Sequence, residues 1–449
     1  MKTLLASVLA IVGLAACADT TVPDLNNSSV NGFQSAPNGS GAGALAVGLV
    51  RGARDNDALT VATIGPFGRE GYELSTARGD ILDYTTGPLT PGTFYVQQNW
   101  IGEYADIKAA YLILDNLGAI SDLTATQKQA MTGFVETMMA YDFELLAATR
   151  DTFGLPIAVD VAPTGTPVAV ASKAQVYQHI LNLLDSAQTA LNAGGPAFSF
   201  TLPPGFGAFS TPATFLTFNR ALRARADILL NNWTDALTDL GGSFLSISAP
   251  LSNGPSFDFT QNSGDEVNPL FQPYYFSDTL LFTNCQHQPG GACDQRILNK
   301  TDVVTPTPVA GLSMNRGFLL YQSPTASLPV IRNEELILMR AEANIGLGQF
   351  AAALPDLNLI RTQSGGLAPA TAGSFATAND WLEELLYEKR YSLLWEGGHN
   401  WIDMRHYGKL GEIPKELTGS HIFTVMPFPL TECQARSPEP VGCVSVVGL

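Results

Sequence analysis

The sequence predicts a mostly α-helical fold of paired helices, interrupted by one large loop-rich insertion. Apolar residues recur every three to four positions, the period of an amphipathic helix, over residues 43–54, 94–117, 126–150, 173–191 and 212–230. Two later passages share the residue pattern of helix-pair repeats. The stretch between those passages is rich in Pro, Gly, Ser and Asn and shows no sustained helical period.

The N-terminus has the pattern of an export signal. Lys2 precedes an apolar run over residues 4–14, and the sequence Leu-Ala-Ala-Cys follows and ends at Cys17. The run is about half of the ~20 residues that a membrane span needs, and small residues at its end are typical of a cleavage site. The sequence Leu-Ala-Ala-Cys at residues 14–17 resembles a bacterial lipobox. We therefore predict that residues 1–16 are a signal peptide and that Cys17 is lipidated; the alternative is a secreted protein with a chance cysteine there.

Composition divides the rest of the chain. The residues after Cys17 are rich in Asn, Ser, Asp and Pro, so we predict a flexible tether over 17–37. Residues 38–449 are predicted to form a single α domain. Its loop-rich parts are 65–91, 241–329 and 408–449, and long loops in a compact protein often carry function.

The two repeat-like passages lie on either side of the insertion. In the first, Ala226 and Trp233 stand where Ala341 and Phe350 stand in the second. A small residue lets two helices approach closely, and an aromatic residue opens the next helix and fills the gap. Units of roughly 34 residues with this pattern are typical of tetratricopeptide-like repeats, which stack into a superhelix.

Cysteine usage agrees with an exported protein. Of five cysteines, four remain when Cys17 is assigned to the lipid, and they form the sequence-local pairs Cys285 with Cys293 and Cys433 with Cys443. Both pairs lie among Pro, Gly and Gln, where a short disulfide compensates for a poor core. The favoured prediction is local pairing. A zinc site is the alternative, although the spacing lacks the usual close C-x2-4-C pairs.

The charge balance limits the partners. The chain has 24 basic and 41 acidic residues, and loss of Lys2 with the signal peptide changes the net charge from −17 to −18. An acidic surface repels phosphates, so nucleic acid is an improbable partner. Neutral solutes or another protein are more natural ligands.

Several segments together resemble the SusD/RagB family of outer-membrane nutrient-uptake lipoproteins. The most specific are residues 332–361 and the passage from Glu388-Lys-Arg-Tyr to Trp395-Glu-Gly-Gly-His-Asn-Trp-Ile-Asp-Met-Arg405. Weaker matches are Thr152-Phe-Gly-Leu-Pro156, residues 173–185, and Trp100 with Tyr104 and Ile107. The family's usual arginine after Glu-Gly is His399 here, so an ion pair at this position would be sensitive to pH.

The resemblance implies a SusD-like, tetratricopeptide-containing fold and a function without chemistry of its own. It implies a lipid-anchored outer-membrane protein, facing the cell surface, that captures oligosaccharide or peptide. The captured nutrient would pass to a TonB-dependent, SusC-like transporter. No cofactor or metal is implied.

Sugar recognition requires flat aromatic rings that stack on pyranose rings, beside amides and carboxylates that bond hydroxyl groups. The loops supply such residues in two stretches. The predicted ligand-binding residues are Phe67, Arg69, Tyr72 and Tyr84 in the first loop and Phe271, Tyr274 and Tyr275 in the insertion. The alternative is that loop aromatics form satellite cores that hold the loops down.

The charged residues near the C-terminus admit three interpretations. Helical spacing favours structural ion pairs for Glu388, Arg390, Glu396, Asp403 and Arg405. A tethered glycan hydrolase of the retaining kind would need two carboxylates about 5 to 5.5 Å apart. The candidates are Glu383, Glu384, Glu388 and Glu396, and nothing in the sequence places two of them at that distance. A metal site on His399, Asp403 and His406 would draw ligands from one helix alone. A structural assembly scaffold remains a further alternative function.

Overall fold

The computed structural model describes residues 30–77, 81–161, 166–415 and 417–449. The predicted signal peptide and Cys17 lie outside these ranges. The α-helices of the described part, numbered here in chain order, are α1 Val30–Ser35, α2 Gly39–Ile64, α3 Phe94–Asn116, α4 Ala125–Arg150, α5 Lys173–Asn192, α6 Pro212–Leu229, α7 Trp233–Gly242, α8 Thr279–Thr283, α9 Gln295–Lys300, α10 Asn333–Gly346, α11 Phe350–Gln363, α12 Ala378–Ser392, α13 His399–His406 and α14 Leu430–Gln434.

The fold is mostly α-helical, and the helices form a continuous array. Each helix from α2 to α6 packs against the next one in the chain. Helix α7 then packs against α10, so the array continues across the insertion into α11 and α12. The predicted helices at 94–117, 126–150, 173–191 and 212–230 are confirmed as α3, α4, α5 and α6.

Local sequence fixes where several of these helices begin. Thr124, Ser172, Thr211 and Thr377 each accept a hydrogen bond from a backbone N–H of the first helical turn, and the residue three positions on completes a capping box. Such caps satisfy donors that a helix start leaves open. They set the start of α4, α5, α6 and α12.

The N-terminal boundaries differ from the prediction. Helix α1 lies inside the range 17–37 that was predicted as a tether, and Phe33 on α1 is buried. Ordered structure therefore begins before residue 38. Helix α2 runs to Ile64, well beyond the predicted end at residue 54. The periodicity is lost there because α2 is buried on several faces, including its polar residues Asn56, Asp57 and Thr60.

The described chain holds more β-structure than predicted, most of it in the insertion. The strands are β1 Gly71–Glu73, β2 Leu155–Pro156, β3 Val170–Ala171, β4 Ser256–Phe257, β5 Tyr275–Ser277, β6 Thr301–Val309, β7 Leu312–Phe318 and β8 Leu328–Pro329. Four of them form an antiparallel sheet in the order β1-β5-β7-β6. The hairpin β6–β7 turns at Ala310 and Gly311, both with positive φ. Pro306 and Pro308 inside β6 weaken the strand signal.

Both local disulfide predictions are confirmed. Cys285 is bonded to Cys293 and Cys433 to Cys443, with Cα–Cα distances of 5.7 and 5.6 Å. Each bond closes a short loop, one in the insertion and one at the C-terminus. Across the part of the chain that the structure describes, no helix is both long enough and apolar enough to span a bilayer.

A group of carboxyls is buried between α2, α3 and α4. Glu103 and Asp142 are each 1% exposed. Asn56 donates to Asp106 at 2.9 Å. Burial raises the pKa of Glu103 to about 8 and that of Asp106 to about 7. Burial, with Asp106 and Glu103 nearby, raises the pKa of Asp142 well above its ordinary value. These carboxyls hold protons that the unfolded chain releases.

We therefore expect the protein to be more stable at about pH 5.5 than at about pH 8.5, because a raised carboxyl pKa gives stability that is lost as pH rises through it. Asp142→Asn keeps the shape and removes one titrating group, so it should flatten this dependence. Thermal unfolding at the two pH values measures both effects. A wild-type melting temperature that rises from pH 5.5 to 8.5 would refute the expectation.

Candidate functional site

Four of the predicted ligand-binding residues lie in the core. Phe67 and Arg69 are 0% exposed, Tyr72 is 1% exposed and Tyr84 is 6% exposed. A buried ring or guanidinium offers no surface to a sugar, so these four positions are corrected to structural residues. The alternative interpretation, that loop aromatics form a satellite core, describes this first stretch.

Their contacts explain why the first loop is buried. Phe67 packs edge-on against Trp401 and Phe423 at ring distances of 5.2 and 5.1 Å. Arg69 donates to the carbonyl oxygens of Pro66, Pro414 and His421 and so ties the loop to the C-terminal tail. Its φ of 54° fits this tight turn.

The second predicted stretch remains at the surface. Phe271 is 42% exposed, and Tyr274 and Tyr275 are half-buried. Strand β1 pairs with β5 so that Glu73 lies opposite Tyr275. The two predicted stretches are therefore neighbours, but only the second faces outward.

Phe271 and Tyr275 line a cleft of about 390 Å³, which we call the aromatic cleft. This volume lies in the range of small-molecule sites. Its lining residues come from the insertion and from the turn after α12: Leu270, Phe271, Gln272, Pro273, Tyr275, Phe276, Val304, Gly317, Phe318, Leu320, Tyr321, Gln322 and Trp395.

Stacked aromatic rings form the floor of the aromatic cleft. Phe318 stacks on Trp395 at a ring distance of 4.7 Å and an angle of 25°. Tyr275 packs on the same indole at 5.6 Å. Trp395 is 1% exposed, so its ring supports the cleft and the flanking rings present the surface. Interlocked rings of this kind form a rigid apolar wall.

The backbone at the floor is held in an uncommon conformation. Trp395 and Tyr321 have φ values of 61° and 55°, in the left-handed region that such residues rarely adopt. The Tyr321 hydroxyl donates to the Trp395 carbonyl oxygen at 3.0 Å, and the Trp395 N–H donates to Glu70 at 2.8 Å. Strain of this kind clusters at functional sites.

Glu70 is the buried residue behind the floor. Burial raises the pKa of its carboxyl to about 7, although the backbone N–H groups of Asn400 and Trp395 stabilise the charged form. Those two hydrogen bonds, of 3.0 and 2.8 Å, join the first loop to the turn that carries Trp395. Glu70 thus acts in support of the cleft and not at its surface.

The rim of the aromatic cleft combines Phe271 with the side-chain amides of Gln272 and Gln322. The loop that carries Phe271 is held by Asn268, which lies behind the rim. Asn268 is fully buried, donates to the Ala326 carbonyl and accepts from the Leu270 N–H, both at 2.7 Å. It thereby fixes the loop that carries Phe271. Gln322 donates its NH₂ group to Phe318 and Leu320, while its carbonyl oxygen bonds no residue of the described chain. Gln272 also lines the cleft, and its side-chain amide bonds no residue in those ranges either.

None of the described residues that line the aromatic cleft carries a formal charge. The cleft therefore offers aromatic faces for stacking and amides for hydrogen bonds to hydroxyl groups. It has no carboxylate for general acid or base work at its surface. This chemistry suits a neutral, hydroxyl-rich ligand.

The charged residues near the C-terminus form ion pairs, as predicted, with one exception. Glu388 binds Arg296 at 2.5 Å, Asp403 binds Lys389 at 2.6 Å, and Arg405 lies 3.7 Å from Asp151. Glu396 binds Arg332 at 2.7 Å and Lys300 at 2.8 Å. Arg390 is the exception, because it has no such partner among the described residues.

The carboxylates of the hydrolase alternative are all engaged. Glu384 pairs with Arg361 and Glu383 with Lys409. Glu388 and Glu396 have the arginine and lysine partners given above. No group of three or more His, Cys, Asp or Glu side chains in residues 30–77, 81–161, 166–415 and 417–449 is placed to hold a metal ion.

His399 forms no ion pair with a described residue, in contrast to the pH-sensitive pair that its position suggested. Burial lowers the pKa of its imidazole to about 4, despite the nearby Glu335 carboxylate. The side chain is therefore neutral near pH 7.

Sequence reasoning missed Trp395, Phe318 and Tyr321 as parts of the cleft. Trp395 lies in the C-terminal passage that we interpreted as scaffold, and the other two lie in the insertion without an aromatic cluster around them. Buried and exposed residues alternate along β7. Such an alternation of apolar and polar residues is the sequence signal that identifies Phe318 as an inward-facing strand residue.

Comparisons with known proteins place the fold. No protein-family model and no curated protein matches the sequence. A SusD superfamily protein from Bacteroides vulgatus is similar in structure, with a TM-score of 0.66, 14% identity, and coverage of 90% of this chain and 99% of that one. A SusD-like carbohydrate-binding protein from Bacteroides fragilis has a TM-score of 0.64 and 16% identity, with coverage of 91% of this chain and 94% of that one. A laminarin-binding SusD-like protein has a TM-score of 0.59 and 14% identity, with coverage of 90% of this chain and 99% of that one. The chain therefore has the SusD-like fold.

Proposed function

We propose that this protein, which has the SusD-like fold, is a SusD/RagB-family lipoprotein that captures neutral oligosaccharides in the aromatic cleft. The observation that carries the proposal is the cleft itself. It joins Phe271, Tyr275 and the Trp395 floor with two glutamine amides, and none of its described lining residues is charged. Two structurally similar proteins are named for binding carbohydrate or laminarin.

The charge of the chain supports a neutral cargo. The net charge of −17 disfavours anionic polymers, and the uncharged cleft gives no local compensation for a charged ligand. Peptides are less well matched than sugars, because their termini and side chains carry charges that this cleft leaves unpaired.

Delivery to a TonB-dependent, SusC-like transporter is the second part of the proposal. The helix array is a rigid platform, and a lipid at Cys17 would hold it beside a barrel in the outer membrane, facing the cell surface. Under such confinement, effective concentration governs contact with the transporter more than intrinsic affinity does.

A glycan array with the purified chain tests ligand class. We expect binding of neutral oligosaccharides, no binding of nucleic acid, and no change in the bound glycan over hours. Hydrolysis of a bound glycan would favour the tethered-hydrolase alternative. Binding of no glycan at all, with intact thermal unfolding, would favour the scaffold alternative.

Cys17→Ala tests the anchor. Diacylglycerol contributes about 0.8 kcal/mol for each buried CH₂ group, so its loss should release the protein from the membrane. We expect the variant in the soluble fraction and the wild type in the outer-membrane fraction. A matched control is Cys443→Ala, which removes a cysteine from the folded body and leaves the anchor intact. Equal membrane retention of Cys17→Ala and wild type would rule out lipidation at this residue.

A further inference from the structure

Arg390 lacks an internal partner in the part of the chain that the structure describes. Its neighbours Glu388 and Lys389 are buried in ion pairs with Arg296 and with Glu342 and Asp403. The Arg390 guanidinium forms no ion pair or hydrogen bond with a described residue, and its Nε atom is shielded from solvent without an acceptor. The Nη groups are not shielded in this way and donate to no described residue, so their N–H donors can bond an acceptor from outside the chain.

Arg390 lines a second cleft, of about 260 Å³, which we call the arginine cleft. Its other lining residues come from α12, α13 and the segment after α13: Glu383, Leu386, Tyr387, Asn400, Met404, Glu412, Ile413 and Pro414. It shares no lining residue with the aromatic cleft. The two clefts are thus separate sites on one molecule.

The two carboxylates of the arginine cleft are already engaged. Lys409 pairs with Glu383 and with Glu412, the latter at 3.0 Å. Both carboxylates are about half exposed, and neither reaches Arg390. The positive charge of Arg390 lowers the pKa of Glu70 slightly, but the two side chains form no ion pair. Among the described residues that line this cleft, Arg390 is therefore the one cation, and it is available to an incoming anion.

Tyr387 is held in place beside the arginine. Its hydroxyl donates to Asp294 at 2.9 Å and accepts from the Gln286 N–H at 2.8 Å. Its ring and Met404 give the cleft apolar walls next to the guanidinium. A planar, forked donor beside apolar walls matches a carboxylate on a small organic body.

We propose that Arg390 is the centre of a second binding site, which takes a small solute with a single carboxylate. The carboxylate belongs either to a sugar acid or to the C-terminus of a short peptide. This goes beyond the proposed capture of neutral oligosaccharides, because the described lining of the aromatic cleft holds no cation to pair with such a group. Screening at physiological ionic strength, with a Debye length of about 8 Å, keeps the acidic surface elsewhere from excluding one carboxylate.

Ligand-observed NMR on the full chain tests the site with two probe pairs. The first pair is sodium glucuronate and glucose, and the second is dialanine and dialanine amide. We expect at least one carboxylate probe to bind about tenfold more tightly than its neutral partner, as a charged hydrogen bond allows. Glucuronate alone would identify a sugar acid as the source, and dialanine alone would identify a peptide terminus.

Variants separate this site from a structural role for Arg390. Arg390→Gln should weaken binding of the carboxylate probe about tenfold while the protein stays folded, since no hydrogen bond or ion pair with a described residue is lost. Glu412→Gln removes a rim carboxylate and should tighten binding about two- to fivefold, an effect that a structural arginine would not give. Phe271→Ala, in the aromatic cleft, should leave this binding unchanged.

Two results would overturn the proposal. One is equal binding of the carboxylate probe by wild type and Arg390→Gln. The other is the absence of carboxylate binding by a folded wild-type protein at about 10 mM probe, well above the millimolar range of weak sites. Neither result bears on the aromatic cleft, whose test uses neutral glycans.

Discussion

Glu396→Ala is expected to lower the free energy of unfolding by about 3–5 kcal/mol, the usual cost of removing one partner from a buried ion cluster. Glu396 binds Arg332 at 2.7 Å and Lys300 at 2.8 Å, and all three side chains are largely buried. The variant would leave both cations without this acceptor. Lys300 belongs to α9 in the insertion and Arg332 precedes α10, so the cluster joins the insertion to the helix array.

The same variant should loosen the aromatic cleft. Glu396 follows Trp395 directly, and the Ser392 carbonyl in the same turn accepts from Lys300 at 2.5 Å. Chemical denaturation measures the stability change. The matched control is Glu412→Ala, an exposed glutamate paired with Lys409, which should cost no more than about 1 kcal/mol. A Glu396→Ala variant as stable as this control would contradict the account of the cluster.

Acid should weaken this cluster. Burial alone would raise the pKa of Glu396, but Arg332 and Lys300 lower it to about 2. A lowered carboxyl pKa gives stability that is present above the unfolded value and is lost as pH falls through the folded value. The buried carboxyls of Glu103 and Asp142 have the opposite effect, because the stability that comes from their raised pKa is lost as pH rises. Together these two effects predict that the free energy of unfolding is largest at about pH 5.

Phe271→Ala is expected to reduce affinity for a neutral oligosaccharide about tenfold or more. Full burial of a Phe side chain contributes about 1.5–3 kcal/mol, and Phe271 is the most exposed ring of the aromatic cleft, at 42%, so a stacked sugar would cover much of it. Its removal leaves the strands and the Trp395 floor in place. Isothermal titration with a glycan that binds in the array measures the change.

Phe94→Ala is the matched control for this variant. Phe94 is 52% exposed and lies outside the aromatic cleft, so the substitution removes a similar ring from a similar environment. Affinity should stay at the wild-type value. If Phe271→Ala also keeps wild-type affinity, the ligand does not stack at the rim of the aromatic cleft.

The helix array could be predicted from the sequence because amphipathic helices repeat their apolar residues on one face. Helix α2 is buried on several faces around Asn56 and Asp57, so its apolar periodicity disappears there. The helix was therefore predicted to end at residue 54, although it continues to Ile64. The local disulfides could be predicted because short separations leave few alternatives. The hairpin β6–β7 could not, because Pro306 and Pro308 lie inside the first strand.

The site was predicted only in part, because composition does not distinguish a ring that faces outward from one that faces inward. Phe67 and Phe271 lie in similar loops, yet the first packs against Trp401 and the second is exposed. The floor residue Trp395 comes from a distant segment, and only the tertiary fold brings it beneath Tyr275. The ion-pair residues near the C-terminus were identified, but their partners Arg296, Arg332 and Lys300 come from the insertion and the start of α10.

A crystal structure of the protein with a glycan that binds in the array tests the central claim most directly. We predict that a sugar ring lies against Phe271 and Tyr275, with hydroxyl groups bonded to the amides of Gln272 and Gln322. A glycan bound elsewhere, with the aromatic cleft filled only by water, would contradict the claim.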